Sequence, residues 1–340
     1  MRHPLPFVVA ILSAALVPLR AAPPSPPSPI SARAESLLER LLEPASPSAP
    51  AFSLHPPRWV AQKPGQRWAP EIPPVWEIRF TFGSLGAGYL FLSGDGELRL
   101  EEFAFDLPHP VPPLNGGWIR GIPNLQQFPV PSPSGKGQTA SGCVPTSAAS
   151  LVGFWAARVF PHWLPQRPAS AAPLPQQAGT PPEDSDLRAF TLRLREKMRM
   201  IEIPDKEGYA DGSLSLSGAL PSDAATALQK TAQEQQVAVH VSESEFSVSQ
   251  LRTEIGAGRP VLVSCTVRLP HKPDLAWGHE MVAAGFQQVE DFDYVGVVDN
   301  FMPLKNASTL RWIEKSAFHS AICVCPEGNE RKRADQKKTP

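Results

Sequence analysis

The chain has almost no net charge: 32 lysines and arginines stand against 33 aspartates and glutamates in 340 residues. So even a balance excludes the long-range pull toward nucleic acid or anionic membrane that a basic surface exerts. Glycine-rich phosphate loops and basic–aromatic interleaving are also missing, so neither nucleotide nor nucleic-acid binding has a motif to rest on. No set of histidines, cysteines and carboxylates has zinc-ligand spacing, His271, His279 and Glu280 included, and no metal or cofactor is expected. Cysteine is scarce: Cys143, Cys265, Cys323 and Cys325 are too few for a disulfide-built scaffold of this length. Cys323 and Cys325 fall on one face of a strand, and Cys265 has either as a candidate disulfide partner. Long apolar runs are absent too, since a bilayer span takes about 20 residues. The nearest approach is Pro6 to Val17, which follows Met1-Arg2-His3 and precedes Ala21-Ala22. That is the layout of a secretory signal over residues 1–22, with an uncleaved anchor as the alternative. The expectation is an exported chain, secreted or periplasmic, with no membrane span in its mature part.

Proline is what the chain has in excess, with 41 residues. It lacks an N–H and clashes with the preceding turn, so most of it belongs in linkers and loops. Residues 23–57 read as a proline-rich tether or pro-segment, broken by a short amphipathic helix around Leu37, Leu38, Leu41 and Leu42. Residues 58–115 alternate apolar and polar side chains, with a hairpin signal at Gly94-Asp95-Gly96. They predict a β-rich N-terminal region, either a small domain or an extension of the main sheet. By position alone, the β-rich region and the helix before it are also a candidate inhibitory pro-segment. From 116 to 326 the pattern runs from helices to strands. Helices are expected over Pro145–Phe160, with Leu151, Val152, Trp155 and Val159 inward, and over Asp186–Met200. Further helices follow Ser222 and Ser247 or Ser249. Strands follow at Val261–Leu269, Glu280–Phe286, Tyr294–Phe301 and two later segments. This order is α+β. Residues 165–182 read as a low-complexity loop and 327–340 as a charged disordered tail.

The stretch Ser141 to Trp155 carries the most chemical information. Cys143 stands two residues before Pro145 and an apolar helix, and proline is well tolerated in a helix's first turn. Unpaired N–H groups and the macrodipole at that end favour negative charge on the sulfur. A buried structural cysteine fits this feature equally well. His279 opens an apolar strand roughly 135 residues later, a separation typical of papain-type enzymes. Asp299 and Asn300 end the next strand, and two antiparallel strands can bring a strand-initial histidine beside a strand-final carboxylate. That carboxylate or amide would orient the imidazole. His162, His240, His271 and His319 read as structural or surface residues, and Asn306-Ala307-Ser308 matches a glycosylation acceptor.

Pro123 to Gln127, then Gly142-Cys143-Val144-Pro145-Thr146-Ser147, then His279 with Gly285-Phe286, then Asp299, resemble the papain-like cysteine peptidases related to bacteriocin-leader processing enzymes, the C-thirty-nine-like family. The resemblance spans about Trp118 to Cys325. It implies a papain-like cysteine peptidase fold, α+β, with a helical half, an antiparallel sheet half and a cleft between them. By the same resemblance Cys143 is the nucleophile, His279 the base and Asp299 the orienting group, with Asn300 its rival. Gln127 is the oxyanion-hole side chain, with Gln126 and Gln138 as rivals. The implied function is hydrolysis of a peptide or protein substrate. In one respect the sequence departs from the family: Val144 replaces the glycine that usually follows the cysteine. A β-branched residue there narrows a channel or disfavours an unusual backbone angle. Two other readings share the fold: a non-catalytic module binding peptide or cell-wall material, and an acyl-transfer enzyme using the same triad.

Overall fold

The computed structural model describes residues 29–45, 50–63, 71–108, 110–132, 134–135, 137–164, 186–203, 214–270, 272–301 and 310–327. The expected signal at 1–22, the loop at 165–182, His271, Asn306-Ala307-Ser308 and the tail beyond 327 lie outside the described residues.

Helix α1 (Pro29–Leu42) places Ile30, Ala34, Leu37, Leu38, Leu41 and Leu42 on one stripe, and all six are buried. Arg33 clamps it to Glu290 through two bonds of 2.7 and 2.6 Å. The segment read as a tether therefore contributes a helix to the core. Strands β1 (Ser53–Leu54), β2 (Arg58–Val60), β3 (Val75–Thr81), β4 (Ala87–Ser93) and β5 (Leu100–Asp106) follow. The turn between β4 and β5 holds the expected hairpin residues, and Asp95 Oδ1 accepts from Ser93 Oγ and the Glu97 N–H. Next come β6 (Gly117–Trp118), β7 (Pro129–Pro131), β8 (Gln138–Ala140), α2 (Cys143–Ala156) and α3 (Asp186–Lys197). They are followed by β9 (Ile201–Ile203), β10 (Leu216–Gly218), α4 (Pro221–Glu234), β11 (Val239–Glu245) and α5 (Val248–Gly256). The chain then stays extended through β12 (Val261–Leu269), β13 (Lys272–Val289), β14 (Phe292–Val298), β15 (Arg311–Glu314) and β16 (Phe318–Pro326).

The chain is a mixed α and β structure built on one large antiparallel sheet. Twelve strands join in the order β1-β3-β4-β5-β15-β14-β13-β12-β16-β11, with β2 beside β3 and β6 beside β13. The N-terminal strands are thus an extension of the main sheet. The seam is β5 against β15, with Ala104, Phe103 and Glu102 opposite Arg311, Trp312 and Ile313. Strand alternation divides the side chains between two faces. Leu262, Val282 and Ala284 pack with α1, α2, α3 and α4 on one face, and Val261, Val263, Met281 and Ala283 pack with α5 on the other.

Several boundaries differ from those read off the sequence. Helix α2 stops at Ala156 because the N–H groups of Arg158, Val159 and Phe160 all turn back to the Trp155 carbonyl, and Val159 is exposed. Helix α3 stops at Lys197, short of Met200. Leu220, not Ser222, caps α4, because Pro221 takes the first helical position. Strand β13 begins at Lys272, well before the expected Glu280: Lys272 lies opposite Leu269, the register shifts across Pro273–Leu275, and pairing resumes from Ala276 opposite Arg268 through Gly278 to Ala283 opposite Val261. Among the described residues, no helix is long and apolar enough to cross a membrane.

Candidate active site

Gly142 precedes α2 with φ 91°, a conformation side chains rarely adopt, and a Cβ there would stand 2.9 Å from the Ser217 carbonyl oxygen. This turn makes Cys143 the first residue of the helix. Hydrogen bonds lock it from both sides. Thr146 Oγ1 donates to the Gly142 carbonyl at 2.6 Å, and Arg195 Nη1 donates to the Ser141 carbonyl at 2.6 Å. The first-turn N–H groups, that of Cys143 among them, have no carbonyl partner within the helix, so they are directed at whatever lies beyond its end. Cys143 itself is half-buried, and its sulfur is a free thiol.

His279 lies in β13 just before the pairing with β14 begins at Val282 opposite Val298, and Asp299 follows β14 directly. This register brings their side chains together: His279 Nε2 lies 2.8 Å from Asp299 Oδ1. An ionised carboxylate only accepts, so Nε2 carries a proton. That leaves Nδ1 as the ring nitrogen available to Cys143, which lines the same cavity as His279. Burial alone would lower the imidazole's affinity for a second proton. The Asp299 charge and hydrogen bond, joined by Cys143, reverse this and raise its pKa to about 9. Burial likewise opposes ionisation of Asp299, but His279 and Arg311 hold its carboxyl well below the usual carboxylate range. The Phe301 ring stands edge-on to the imidazole with centroids 6.3 Å apart, and the Phe301 N–H donates to Asp299 Oδ1 at 2.9 Å.

Behind Asp299 lies a set of charges that sequence reasoning missed. Arg311 is fully buried, and its Nη1 donates to Asp299 Oδ2 at 2.7 Å. Its Nε and Nη2 grip the two oxygens of Glu102, each at 2.8 Å, and Nη2 also reaches the Arg268 carbonyl at 2.6 Å. The Tyr89 hydroxyl donates to Glu102 Oε1 at 2.5 Å. A hydrogen-bonded series therefore runs from Tyr89 and Glu102 in the N-terminal strands through Arg311 and Asp299 to His279. The only sequence signal for it was a charged residue at the start of a strand.

The rival assignments separate by geometry. Gln127 lines the same cavity as Cys143 and His279, with one amide hydrogen on Asn300 Oδ1 at 2.8 Å and its backbone N–H on the Asn300 carbonyl at 2.9 Å. Gln126 turns away, donating to Asn124 Oδ1 and the Asp299 carbonyl, and Gln138 is exposed on β8. Asn300 faces α2 rather than the imidazole, donating to Ser147 Oγ at 2.6 Å and the Cys143 carbonyl at 3.1 Å. Positive φ falls on Gly142, while Val144 is helical, buried and part of the cavity wall. Its departure from glycine therefore bears on channel width rather than on backbone angle. His240 and His162 are exposed and take no part in the cavity wall. His319, read as a surface residue, is exposed but lines the cavity and meets Thr266 Oγ1 at 2.8 Å. Cys265, Cys323 and Cys325 are reduced, none of them in a disulfide, and burial pushes Cys265 well up and Cys323 up to about 12.

The cavity holds about 390 Å³ and is walled largely by apolar side chains, with Ile201, Ile203, Leu216, Leu269, Trp277 and Phe301 on one side. The arrangement offers a sulfur, a protonated imidazole, an amide donor and unpaired helix N–H groups around one space, which suits attack on an acyl carbon. No protein-family model matches the chain, and no curated protein matches it in sequence.

Proposed function

We propose that the chain is an exported, papain-like cysteine peptidase that hydrolyses peptide bonds through an acyl-enzyme. The observation that carries this reading is His279, hydrogen-bonded to Asp299 through Nε2, in the wall of a cavity that Cys143 and Gln127 also line. Export rests on the N-terminal charged and apolar sequence alone.

Cys143 Sγ, with its proton held on His279 Nδ1, attacks the carbonyl carbon of the scissile bond. The oxygen becomes an oxyanion and accepts from Gln127 Nε2 and the Cys143 N–H. As the tetrahedral intermediate collapses, the C–N bond breaks and Nδ1 delivers its proton to the leaving amine. A thioester remains. Water then gives a proton to Nδ1 and attacks the thioester carbon, releasing the acid and restoring the anionic sulfur beside the imidazolium. Asp299 keeps the ring in the tautomer that presents Nδ1 and stabilises its charged form. The Arg311–Glu102 pair keeps Asp299 ionised and fixed.

The test is selective alkylation. Iodoacetamide near neutral pH is expected to modify Cys143 ahead of Cys265, Cys323 and Cys325, and His279→Ala is expected to slow that reaction by about 10²-fold or more. A Cys143 that reacts no faster than an ordinary free thiol removes the proposal.

A further inference from the structure

Two buried polar atoms among the described residues stand unpaired in side chains of the cavity wall. Glu280, only 2 % exposed, gives Oε2 to the Ser264 hydroxyl and leaves Oε1 without a hydrogen-bond partner. Trp277 Nε1 likewise has no acceptor. Both residues line the space that holds Cys143 and His279. An unpaired buried oxygen is a poor resting arrangement, because hydrogen bonds to water have been given up and nothing has replaced them. The wall supplies no remedy of its own: the residues lining the cavity include no lysine or arginine. Burial pushes the Glu280 carboxyl up to about 7, opposed by the Ser264 bond and the His279 charge and reinforced by Glu243. An acid so placed gains a great deal from one added positive charge.

We propose that Glu280 forms a subsite for an ammonium group of the substrate, in the cavity that Cys143 also lines. Two sources present that chemistry: a lysine side chain and the free amino terminus of a peptide. Either brings N–H donors and a compact charge to Oε1, and the apolar wall formed by Leu216, Leu269 and Trp277 is available to the neighbouring aliphatic carbons. The inference rests on the peptidase reading of the same site and names the substrate class it prefers.

Three chloromethyl ketones test it on the full chain: N-acetyl-lysyl, N-acetyl-norleucyl, and norleucyl with a free amino group. Each reacts by forming a bond from Cys143 Sγ to the methylene carbon as chloride leaves, and the modified cysteine is identified by peptide mass spectrometry. One of the two cationic probes is expected to inactivate Cys143 about 10- to 100-fold faster than the acetyl-norleucyl probe, the range of a charge-assisted hydrogen bond. The faster one identifies the source. In Glu280→Gln the ratio is expected to fall close to one. The ratio in the unaltered protein is informative even if that variant fails to fold. Rapid Cys143 labelling by all three probes at equal rates would overturn the subsite and leave the peptidase reading standing. Labelling of Cys143 no faster than of an ordinary thiol would overturn both.

Discussion

Replacing Glu102 with glutamine removes one charge from the interior and leaves the shape of the side chain unchanged. Arg311, fully buried, then has one carboxylate to balance it instead of two. Breaking a buried ion pair costs about 3 kcal/mol or more. In a 340-residue chain the unfolding entropy is roughly 0.7 kcal/mol/K, so the melting temperature should fall by about 4 °C. The effect on the site is separable from the loss of stability. With Glu102 neutral, the Arg311 charge is compensated less and falls more fully on Asp299 and His279. At an effective dielectric of about 20, a unit charge on the order of 10 Å away contributes about 1.7 kcal/mol, so the pKa of His279 should drop by about one unit. The assay is NMR titration of the histidine ring Cε1–H signals, with His279 assigned by His279→Ala. In the unaltered protein that ring is expected to titrate near 9. A His279 titration unmoved in Glu102→Gln would refute the claim that a strand of the N-terminal region acts on the imidazole. Loss of melting temperature alone would not rescue it.

Three further outcomes follow from the same geometry. A chain starting at Gly116 lacks α1 and β1 to β5, exposing β15 and leaving Arg311 with Asp299 as its one carboxylate partner, so it is expected to aggregate or to lose fast Cys143 alkylation; greater reactivity than the full chain would support the inhibitory pro-segment reading, and equal reactivity would argue against it. On the proposed mechanism, in which Gln127 is an oxyanion donor, Gln127→Ala is expected to lower kcat by about 10²- to 10³-fold with little change in iodoacetamide labelling. Gly142→Ala combines φ 91° with a Cβ 2.9 Å from the Ser217 carbonyl oxygen. It is expected to lower the melting temperature and slow Cys143 alkylation, while Gly218→Ala, where a Cβ would meet nothing within 4 Å, serves as the control.

What the sequence disclosed about this site was local. A glycine, a cysteine and a proline in the first turn mark a helix start whatever the rest of the chain does, and the structure puts Cys143 there. His279 and Asp299 were readable as strand-initial and strand-final residues, and the offset of β13 against β14 makes them neighbours. Gln127 was separable from Gln126 and Gln138 only by the spacing of a family motif; in the structure its bonds to Asn300 set its position. What could not be read were pairings across the chain. Glu102 and Arg311 are 209 residues apart, and nothing in either strand's alternation announces an ion pair. The helix at Leu37–Leu42 was visible as an amphipathic stripe, but a stripe does not say what it packs against. Gly278 is a poor strand former, yet it stays in β13 because it lies opposite Thr266 of β12, and tertiary pairing outweighs local propensity.

The buried groups alternate in sign: Glu102 negative, Arg311 positive, Asp299 negative, His279 positive. Buried charges persist when each is paired on both sides, and removing one exposes the next. The two ends of the pH scale should therefore undo the site in different ways. His279 binds its second proton more tightly folded than unfolded, so its contribution to stability is whole below about 6.5 and is lost as pH rises through about 9. Asp299 is the reverse: its contribution is present above its ordinary value of 3.8 and fades as acid protonates it. Asp299→Asn isolates the link. It removes the charge that offsets burial, and burial then governs the imidazole. His279 is expected to titrate below 6.5 instead of near 9 and so to be neutral at pH 7. Alkylation of Cys143 at pH 7 should slow toward the rate of a solitary thiol, whereas Asn300→Asp should leave the His279 titration high. An imidazole still protonated at pH 8 in Asp299→Asn would mean that the carboxylate is not what charges it.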